Sequence, residues 1–170
     1  MPGGTADGVA YPRSEADVAA ILREQTRVLV VGAQSSLTGG ATPTGGVVLS
    51  TSRLTALALS APDRVTVGPG VTLAALDARL VERDAWYPPA PTYAGATVGG
   101  TVATNAAGAA TFKYGPARPW VEALTIVLPG GEVLDLARGA VQPFRMAAGE
   151  ERAVPACGGR SIADLISSCE

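Results

Sequence analysis

The sequence predicts an α+β protein of two subdomains, a small, largely parallel α/β unit followed by a mainly antiparallel unit. Two observations support this fold class. A helical pattern, an apolar run, a glycine-rich loop and a second apolar run follow one another over residues 12–49. Farther along, two apolar runs flank a Pro-Gly-Gly turn at residues 129–131. The predicted subdomains span residues 1–53 and 54–139, and residues 140–170 form a poorly defined tail.

The first subdomain begins with a capped helix. Residues 12–25 place apolar side chains on one face, with Ser14 as the N-cap and Asp17 completing an approximate capping box. The continuous apolar run at residues 28–31 stops at a glycine and predicts a buried strand. A further strand is predicted at residues 47–49, after a Gly-Gly turn. These elements form one compact α/β unit.

The second subdomain combines a helix with antiparallel strands. A strand over residues 65–67 runs into a Gly-Pro-Gly turn, and Thr72 then caps a helix predicted over residues 73–83. The prolines of residues 86–91 require an extended chain. Residues 124–128 and 132–136 form a hairpin with a three-residue turn.

Composition excludes several classes of protein. The chain of 170 residues is 47% hydrophobic, which is enough for a core, and its 16% of charged residues with a net charge of −2 argues against nucleic-acid binding. We find no apolar run long enough to span a bilayer and no signal-peptide pattern, so the expected location is cytoplasmic. The two cysteines, Cys157 and Cys169, are expected to be free thiols.

Histidine is missing from the sequence, and this restricts the chemistry further. Zero histidines exclude Ser-His-Asp and Cys-His catalysis and histidine-bearing zinc sites, and two cysteines are too few for a Cys₄ site. No metal site is expected and no side chain is assigned a catalytic role. A bound organic cofactor is the natural carrier of any chemistry.

Two uncharged loops are the candidate binding elements. The first, residues 32–40, offers backbone N–H groups and hydroxyls after a strand, the equipment of a phosphate cradle. It contains no Lys or Arg and matches neither a Walker A loop nor the G-x-G-x-x-G pattern. An ordinary polar turn is the alternative. The second, residues 94–110, has only small side chains that allow close approach to a flat ligand; the alternative is a small-residue helix packed on a sheet.

Six segments, in this order, carry a resemblance to a known family. They are residues 11–18, 31–40, 67–73, 88–92, 96–108 and 113–115. Their order and spacing resemble the FAD-binding domain of the vanillyl-alcohol oxidase / p-cresol methylhydroxylase superfamily. The nearest branch is that of the FAD-linked oxidases, which includes D-lactate dehydrogenases and the glycolate oxidase D subunit. The resemblance covers roughly residues 10–139.

The resemblance implies a p-cresol methylhydroxylase-type fold that holds FAD in a groove between the two subdomains. It implies these cofactor-binding residues: Gly32, Ala33, Gln34, Ser35, Ser36, Leu37, Thr38, Gly39, Pro69, Gly70, Pro91, Thr92, Ala96, Thr97, Val98, Gly99, Gly100, Ala103, Thr104 and Asn105. Many members attach FAD through a histidine in the first loop. Since this sequence has none, non-covalent FAD is expected.

The implied activity is oxidation of a small 2-hydroxy acid, of the D-lactate or glycolate type, by hydride transfer to FAD. The sequence departs from the family because it lacks a later glycine-rich segment and the separate substrate domain. It therefore resembles an N-terminal fragment that needs a C-terminal substrate domain or a partner subunit, in a parent enzyme that is cytoplasmic or peripheral to a membrane. The alternatives are a non-catalytic flavin- or nucleotide-binding module and an inert fragment.

Overall fold

The first part of the chain forms a three-stranded parallel sheet with one helix. The computed structural model describes residues 3–89 and 91–138. Its sheet consists of β1 (Gly8–Ala10), β2 (Val28–Val31) and β3 (Val47–Ser50), arranged in the order β1-β3-β2 with both pairs parallel. Helix α1 (Glu15–Glu24) connects β1 to β2. The predicted parallel α/β unit is confirmed, although the edge strand β1 was not anticipated.

Helix α1 begins where its capping box predicts. The Ser14 hydroxyl accepts a hydrogen bond from the Asp17 amide at 3.1 Å, and the Asp17 carboxylate accepts from the Ser14 amide at 3.1 Å. The helix is shorter than the predicted residues 12–25, because the residues up to Ser14 form its cap and Gln25 is already extended.

The second part consists of helix α2 (Leu73–Val81) and two separate hairpins. Strands β4 (Leu57–Ala61) and β5 (Arg64–Val67) form one, and β6 (Ala123–Val127) and β7 (Val133–Ala137) form the other. A single, mainly antiparallel sheet was expected; in the described part of the chain the antiparallel strands form two sheets of two strands each.

The β6–β7 hairpin has the three-residue turn that its sequence predicts. The Gly131 amide donates to the Leu128 carbonyl at 2.7 Å, and the Leu128 amide donates to the Glu132 carbonyl at 2.8 Å. Gly131 has a φ of 77°, a left-handed conformation that glycine adopts without strain. The Arg23 guanidinium of α1 donates to the Gly131 carbonyl at 3.0 Å, so this turn also ties the hairpin to the first unit.

Short elements fill the remaining chain. Helix α3 (Val98–Ala103) lies within the second candidate loop, and α4 (Thr111–Tyr114) follows it. Single 3₁₀ turns occur at Thr51–Arg53 and Arg118–Trp120. The helical alternative weighed for the second loop is therefore correct for its central part.

The buried core residues include members of β3, of α2 and of the segment that precedes α2. Leu49, Leu76 and Val71 are almost completely buried. The two tryptophans, Trp86 and Trp120, are 57% and 43% exposed and are not core residues. Trp86 packs edge-on against Tyr114 at a centroid distance of 4.9 Å, and the Trp120 indole donates to the Tyr114 carbonyl at 3.0 Å.

Some expectations concern residues outside the described part of the chain. The two cysteines and the tail from residue 140 belong to this group. None of the helices in the part that the structure describes has the length and apolar character needed to cross a membrane. The described residues also contain no cluster of three or more His, Cys, Asp or Glu side chains able to hold a metal ion.

Candidate FAD-binding site

The candidate site begins at the carboxyl edge of the parallel sheet. Strands β2 and β3 are parallel neighbours, so the residues that follow them, Gly32 and Thr51, lie at the same edge. The Thr51 hydroxyl donates to the Val31 carbonyl at 3.2 Å in a buried position and ties the two strand ends together. Ligands of open α/β sheets bind at this edge, and the first candidate loop leaves β2 here.

Residues 33–38, here called the amide loop, project from that edge. Gln34 has a φ of 52°, and its side-chain amide donates across the loop to the Ala41 carbonyl at 2.9 Å. The hydroxyls of Ser36 and Thr38 lie 2.9 Å apart. Most of the loop is exposed, and Leu37 at its tip is 88% exposed. The loop is thus shaped by its own contacts and leaves its outer surface open.

The backbone of the amide loop has unused hydrogen-bond donors. The amides of residues 33–37 donate to no acceptor among the residues that the structure describes. Residues 32–46 contain no ionisable side chain. A run of free N–H groups without a cation beside it can bind an anion through dipoles alone.

The second candidate loop pairs with the chain that leads into α2. The Val98 amide donates to the Val71 carbonyl at 2.8 Å, and the Gly99 amide donates to the Pro69 carbonyl at 3.0 Å. A bridge joins Thr97 to Thr72, and the Leu73 amide donates to the Ala96 carbonyl at 2.9 Å. We call the paired segments 69–73 and 96–100 the brace. Unlike the amide loop, the brace uses its backbone groups internally.

Glycines allow the two segments of the brace to pack closely against each other and against the sheet. A Cβ on Gly99 would lie 2.5 Å from the Pro69 Cβ and 2.9 Å from the Pro69 carbonyl oxygen. A Cβ on Gly70 would overlap the carbonyl oxygen of Thr51, the residue that follows β3. The brace therefore presses directly against the carboxyl edge of the parallel sheet.

The amide loop and the brace meet at Gly32 and Thr97. A Cβ on Gly32 would overlap the Thr97 hydroxyl, and one on Gly100 would lie 3.2 Å from it. The structure thus brings together the glycine that starts the first loop and the threonine that starts α3. We call this contact the junction.

The Thr97 hydroxyl is buried at the junction without a hydrogen-bond partner in the described part of the chain. Burying an unpaired polar atom costs free energy, so such atoms in folded proteins call for a specific explanation. The junction offers a donor whose acceptor the described chain does not provide, and the amide loop beside it offers more. A diphosphate ester supplies acceptor oxygens, so these residues fit FAD.

Other polar candidates serve the protein's own backbone. The Thr104 hydroxyl donates to the Gly100 carbonyl at 2.8 Å. Asn105 has a φ of 47°, and its side-chain oxygen accepts from the Arg118 amide at 2.9 Å. Pro91 is partly buried and Thr92 is exposed, and neither joins the described hydrogen bonds that link the amide loop or the brace.

Three residues at the site were not anticipated from the sequence. Thr51 ties the strand ends, while Val71 and Thr72 supply the brace. One signal was available for Thr51, because it follows a predicted parallel strand and must lie at the same edge as Gly32. Val71 and Thr72 lie in the segment 67–73 that carries the resemblance, but Thr72 was interpreted as the cap of α2 and Val71 was given no role.

Ionisable groups with shifted pKa values lie away from the junction. Burial raises the pKa of the Asp77 carboxyl and of the Tyr87 phenol. Both side chains line a shallow depression of about 290 Å³ with Val81, Ala85 and Trp86. No residue of the amide loop or brace lines it, so this depression is separate from the candidate site.

Comparisons with known proteins identify the family to which this chain belongs. A family model described as an FAD binding domain matches residues 6–137. The D-lactate dehydrogenase of Archaeoglobus fulgidus is 40% identical over 134 residues, which cover 75% of this chain and 30% of that protein. The glycolate oxidase subunit GlcD of Bacillus subtilis is 31% identical over 136 residues, which cover 75% of this chain and 29% of that protein. The chain therefore spans about 30% of the length of these relatives.

The fold is also found in a solved structure. The 6-hydroxy-D-nicotine oxidase of Arthrobacter nicotinovorans superposes with a TM-score of 0.70 at 23% identity, covering 78% of this chain and 31% of that one. The expected p-cresol methylhydroxylase-type fold is confirmed. The chain belongs to the FAD-binding domain family whose model matches residues 6–137.

Proposed function

We propose that this chain holds FAD non-covalently for an oxidoreductase that oxidises a short 2-hydroxy acid of the D-lactate or glycolate type. The observation that carries the proposal is the run of free, uncharged amides at residues 33–37, next to a buried hydroxyl that lacks an acceptor. Family membership identifies the ligand class that these donors fit.

The proposed roles of the site residues follow from their contacts. The amide loop would hold the diphosphate through its N–H groups, while the brace would fix the position of α3 beside it. Bound FAD supplies the electron acceptor for the oxidation. Gln34, Thr104 and Asn105 would act by shaping their loops, since their side chains already bond the backbone.

Non-covalent attachment is proposed from the composition. The chain has no histidine, and neither of the two loops contains a cysteine. Denaturing the FAD-loaded protein and passing it through a desalting column is expected to release all of the flavin. Flavin that remains with the polypeptide would contradict this part of the proposal.

The substrate class is proposed from the relatives. The two named above are a D-lactate dehydrogenase and a glycolate oxidase subunit, so each name refers to a short 2-hydroxy acid. Since the chain spans about 30% of their length, we expect this polypeptide alone to bind FAD without oxidising D-lactate or glycolate. Dye reduction by the purified chain with either acid would contradict that expectation.

A charge placed in the amide loop tests the proposed cofactor site. Ser36→Glu puts a carboxylate beside the free amides, and repulsion of the diphosphate is expected to weaken FAD binding by about tenfold or more. Ser36→Gln has nearly the same size without the charge and serves as the matched control, with an affinity within about threefold of the original chain. Flavin fluorescence titration measures both. Equal affinity of the two variants would contradict the proposal.

A further inference from the structure

We propose that the shallow depression beside α2 binds the guanidinium group of an arginine side chain that a partner protein presents to it. The depression has a volume of about 290 Å³, and its lining residues are Asp77, Val81, Ala85, Trp86 and Tyr87. The inference does not rest on the proposed function, because none of these residues belongs to the amide loop or the brace. It assigns an interaction surface to a part of the molecule that the cofactor site leaves unused.

The end of α2 builds this depression. The Asp84 amide donates to the Val81 carbonyl at 3.1 Å, and the Ala85 amide donates to the Leu80 carbonyl at 3.0 Å, which are the two hydrogen bonds of a Schellman motif. Asp84 has a φ of 53°, the left-handed conformation that this motif requires. The chain therefore turns back at the helix end, and residues 85–87 line the same depression as one face of α2.

Asp77 gives the depression a carboxylate without a counter-charge. It forms no ion pair with any residue that the structure describes, and the nearby Arg79 is already paired with Glu82. Burial raises the pKa of the Asp77 carboxyl above its ordinary value of 3.8, and no cation in the described part of the chain offsets this shift. A cation bound beside a partly buried carboxylate stabilises its ionised form. The depression is therefore complementary to a positively charged group.

Two aromatic side chains determine which cation fits. Trp86 is 57% exposed, and its edge-on contact with Tyr114 at a centroid distance of 4.9 Å holds the indole in place. Tyr87 is half-buried. A guanidinium group stacks on aromatic rings and also forms two parallel hydrogen bonds with a carboxylate, whereas an ammonium group is a compact, strongly hydrated point charge. Arginine thus fits an aromatic depression with one carboxylate better than lysine does.

The rim of the depression favours a protein side chain over a free small molecule. Val81 is 73% exposed, and with the Trp86 indole it presents apolar surface that the methylene stem of an arginine can cover. Pockets that enclose small ligands are deeper and bury most of the ligand. Trp, Tyr and Arg are also the residues that contribute most binding energy at protein interfaces. These features together assign the depression to an arginine at the surface of a partner protein.

The test uses Nα-acetyl-arginine methylamide as the probe and Nα-acetyl-citrulline methylamide as its neutral comparator of nearly the same shape. An NMR titration of the full chain follows the Trp86 indole N–H and the amides of residues 77–87. The arginine compound is expected to shift these signals with a Kd on the order of 1 mM. The citrulline compound is expected to bind about tenfold more weakly or worse, because it lacks the charge.

A matched pair of variants assigns the binding to Asp77. Asp77→Asn keeps the shape of the side chain and is expected to raise the Kd for the arginine compound about tenfold. Glu24→Gln removes one negative charge from α1 and is expected to stay within about threefold of the original Kd, because remote surface charges are screened. The affinity for FAD is expected to be unchanged in both variants.

Each outcome bears on this inference separately from the proposed function. Equal affinity for the arginine and citrulline compounds overturns it, and this comparison needs no substitution. Equal affinity of the Asp77→Asn variant and the original chain for the arginine compound also overturns it. Nα-acetyl-lysine methylamide binding as tightly as the arginine compound overturns the choice of a guanidinium group. Self-association of the original chain that Asp77→Asn abolishes, measured by sedimentation velocity, overturns the assignment to a different protein and places a second copy of this chain in the depression.

Discussion

The amide loop and the brace have similar compositions and opposite structural roles. Both are uncharged and rich in small residues. The amide loop leaves the N–H groups of residues 33–37 without acceptors in the described structure and is largely exposed. The brace uses its amides to join residues 69–73 to residues 96–100, and Thr97 in it is almost fully buried.

The difference shows that small, uncharged composition does not identify a ligand contact. In the brace, glycine permits one backbone to approach another; in the amide loop, small residues leave the backbone open to solvent. Only the location of each hydrogen-bond acceptor distinguishes the two cases. A residue of the brace is therefore expected to affect stability first, and a residue of the amide loop to affect affinity first.

The largest expected effect is a loss of folding stability when a side chain is added to the brace. Gly70→Ala places a methyl group on the Thr51 carbonyl oxygen, which is backbone and cannot move aside easily. We expect a loss of about 3 kcal/mol in the free energy of unfolding, in the upper range for overpacking. Chemical denaturation measures it. Gly8→Ala is the matched control, because its Cβ meets nothing within 4 Å, and a change below about 0.5 kcal/mol is expected there. Equal losses in both variants would show that the brace is not closely packed.

Local sequence signals predicted the elements whose determinants are close together in the chain. The α1 capping box and the Pro-Gly-Gly turn at residues 129–131 each complete their hydrogen bonds within a few residues. These elements appear where the sequence places them. Strand β1 was missed because three residues, Gly8–Ala10, carry too little periodicity, and β3 is what holds them in register.

The site was only partly predictable for a related reason. The sequence identified both loops from their small, uncharged residues, yet it could not separate residues that shape a loop from residues with free donors. Asn105 illustrates this, because its partner Arg118 is 13 positions away. The contact between Gly32 and Thr97 depends on the packing of the brace on the sheet, which no local pattern encodes.

A smaller effect, on FAD affinity, is expected when the hydrogen bond that spans the amide loop is removed. Gln34→Ala removes the side-chain bond to the Ala41 carbonyl, so the loop samples more conformations before binding. We expect FAD affinity to fall about two- to tenfold, the equivalent of one neutral hydrogen bond. Fluorescence titration measures it. Leu37→Ala is the control within the same loop, since that side chain is 88% exposed and its amide is retained. A larger loss for Leu37→Ala would show that side chains at the loop tip contact the cofactor.

The smallest expected effect is on thermal stability at the cap of α1, which lies outside both the amide loop and the brace. The amides of Arg13 and Ser14 hydrogen-bond the Asp17 carboxylate and lower the pKa of this carboxyl below its ordinary value of 3.8. The stabilisation by the ionised form is therefore complete above pH 3.8 and is lost as the pH falls through the lower folded-state pKa. Asp17→Asn is expected to lower the unfolding temperature slightly at pH 7 and to match the original chain in acid, with unchanged FAD affinity. Glu24→Gln, at the other end of α1, controls for the loss of one negative charge. If the Asp17→Asn variant bound FAD more weakly, stability alone would alter affinity, and the contrast between the brace and the amide loop would lose its meaning.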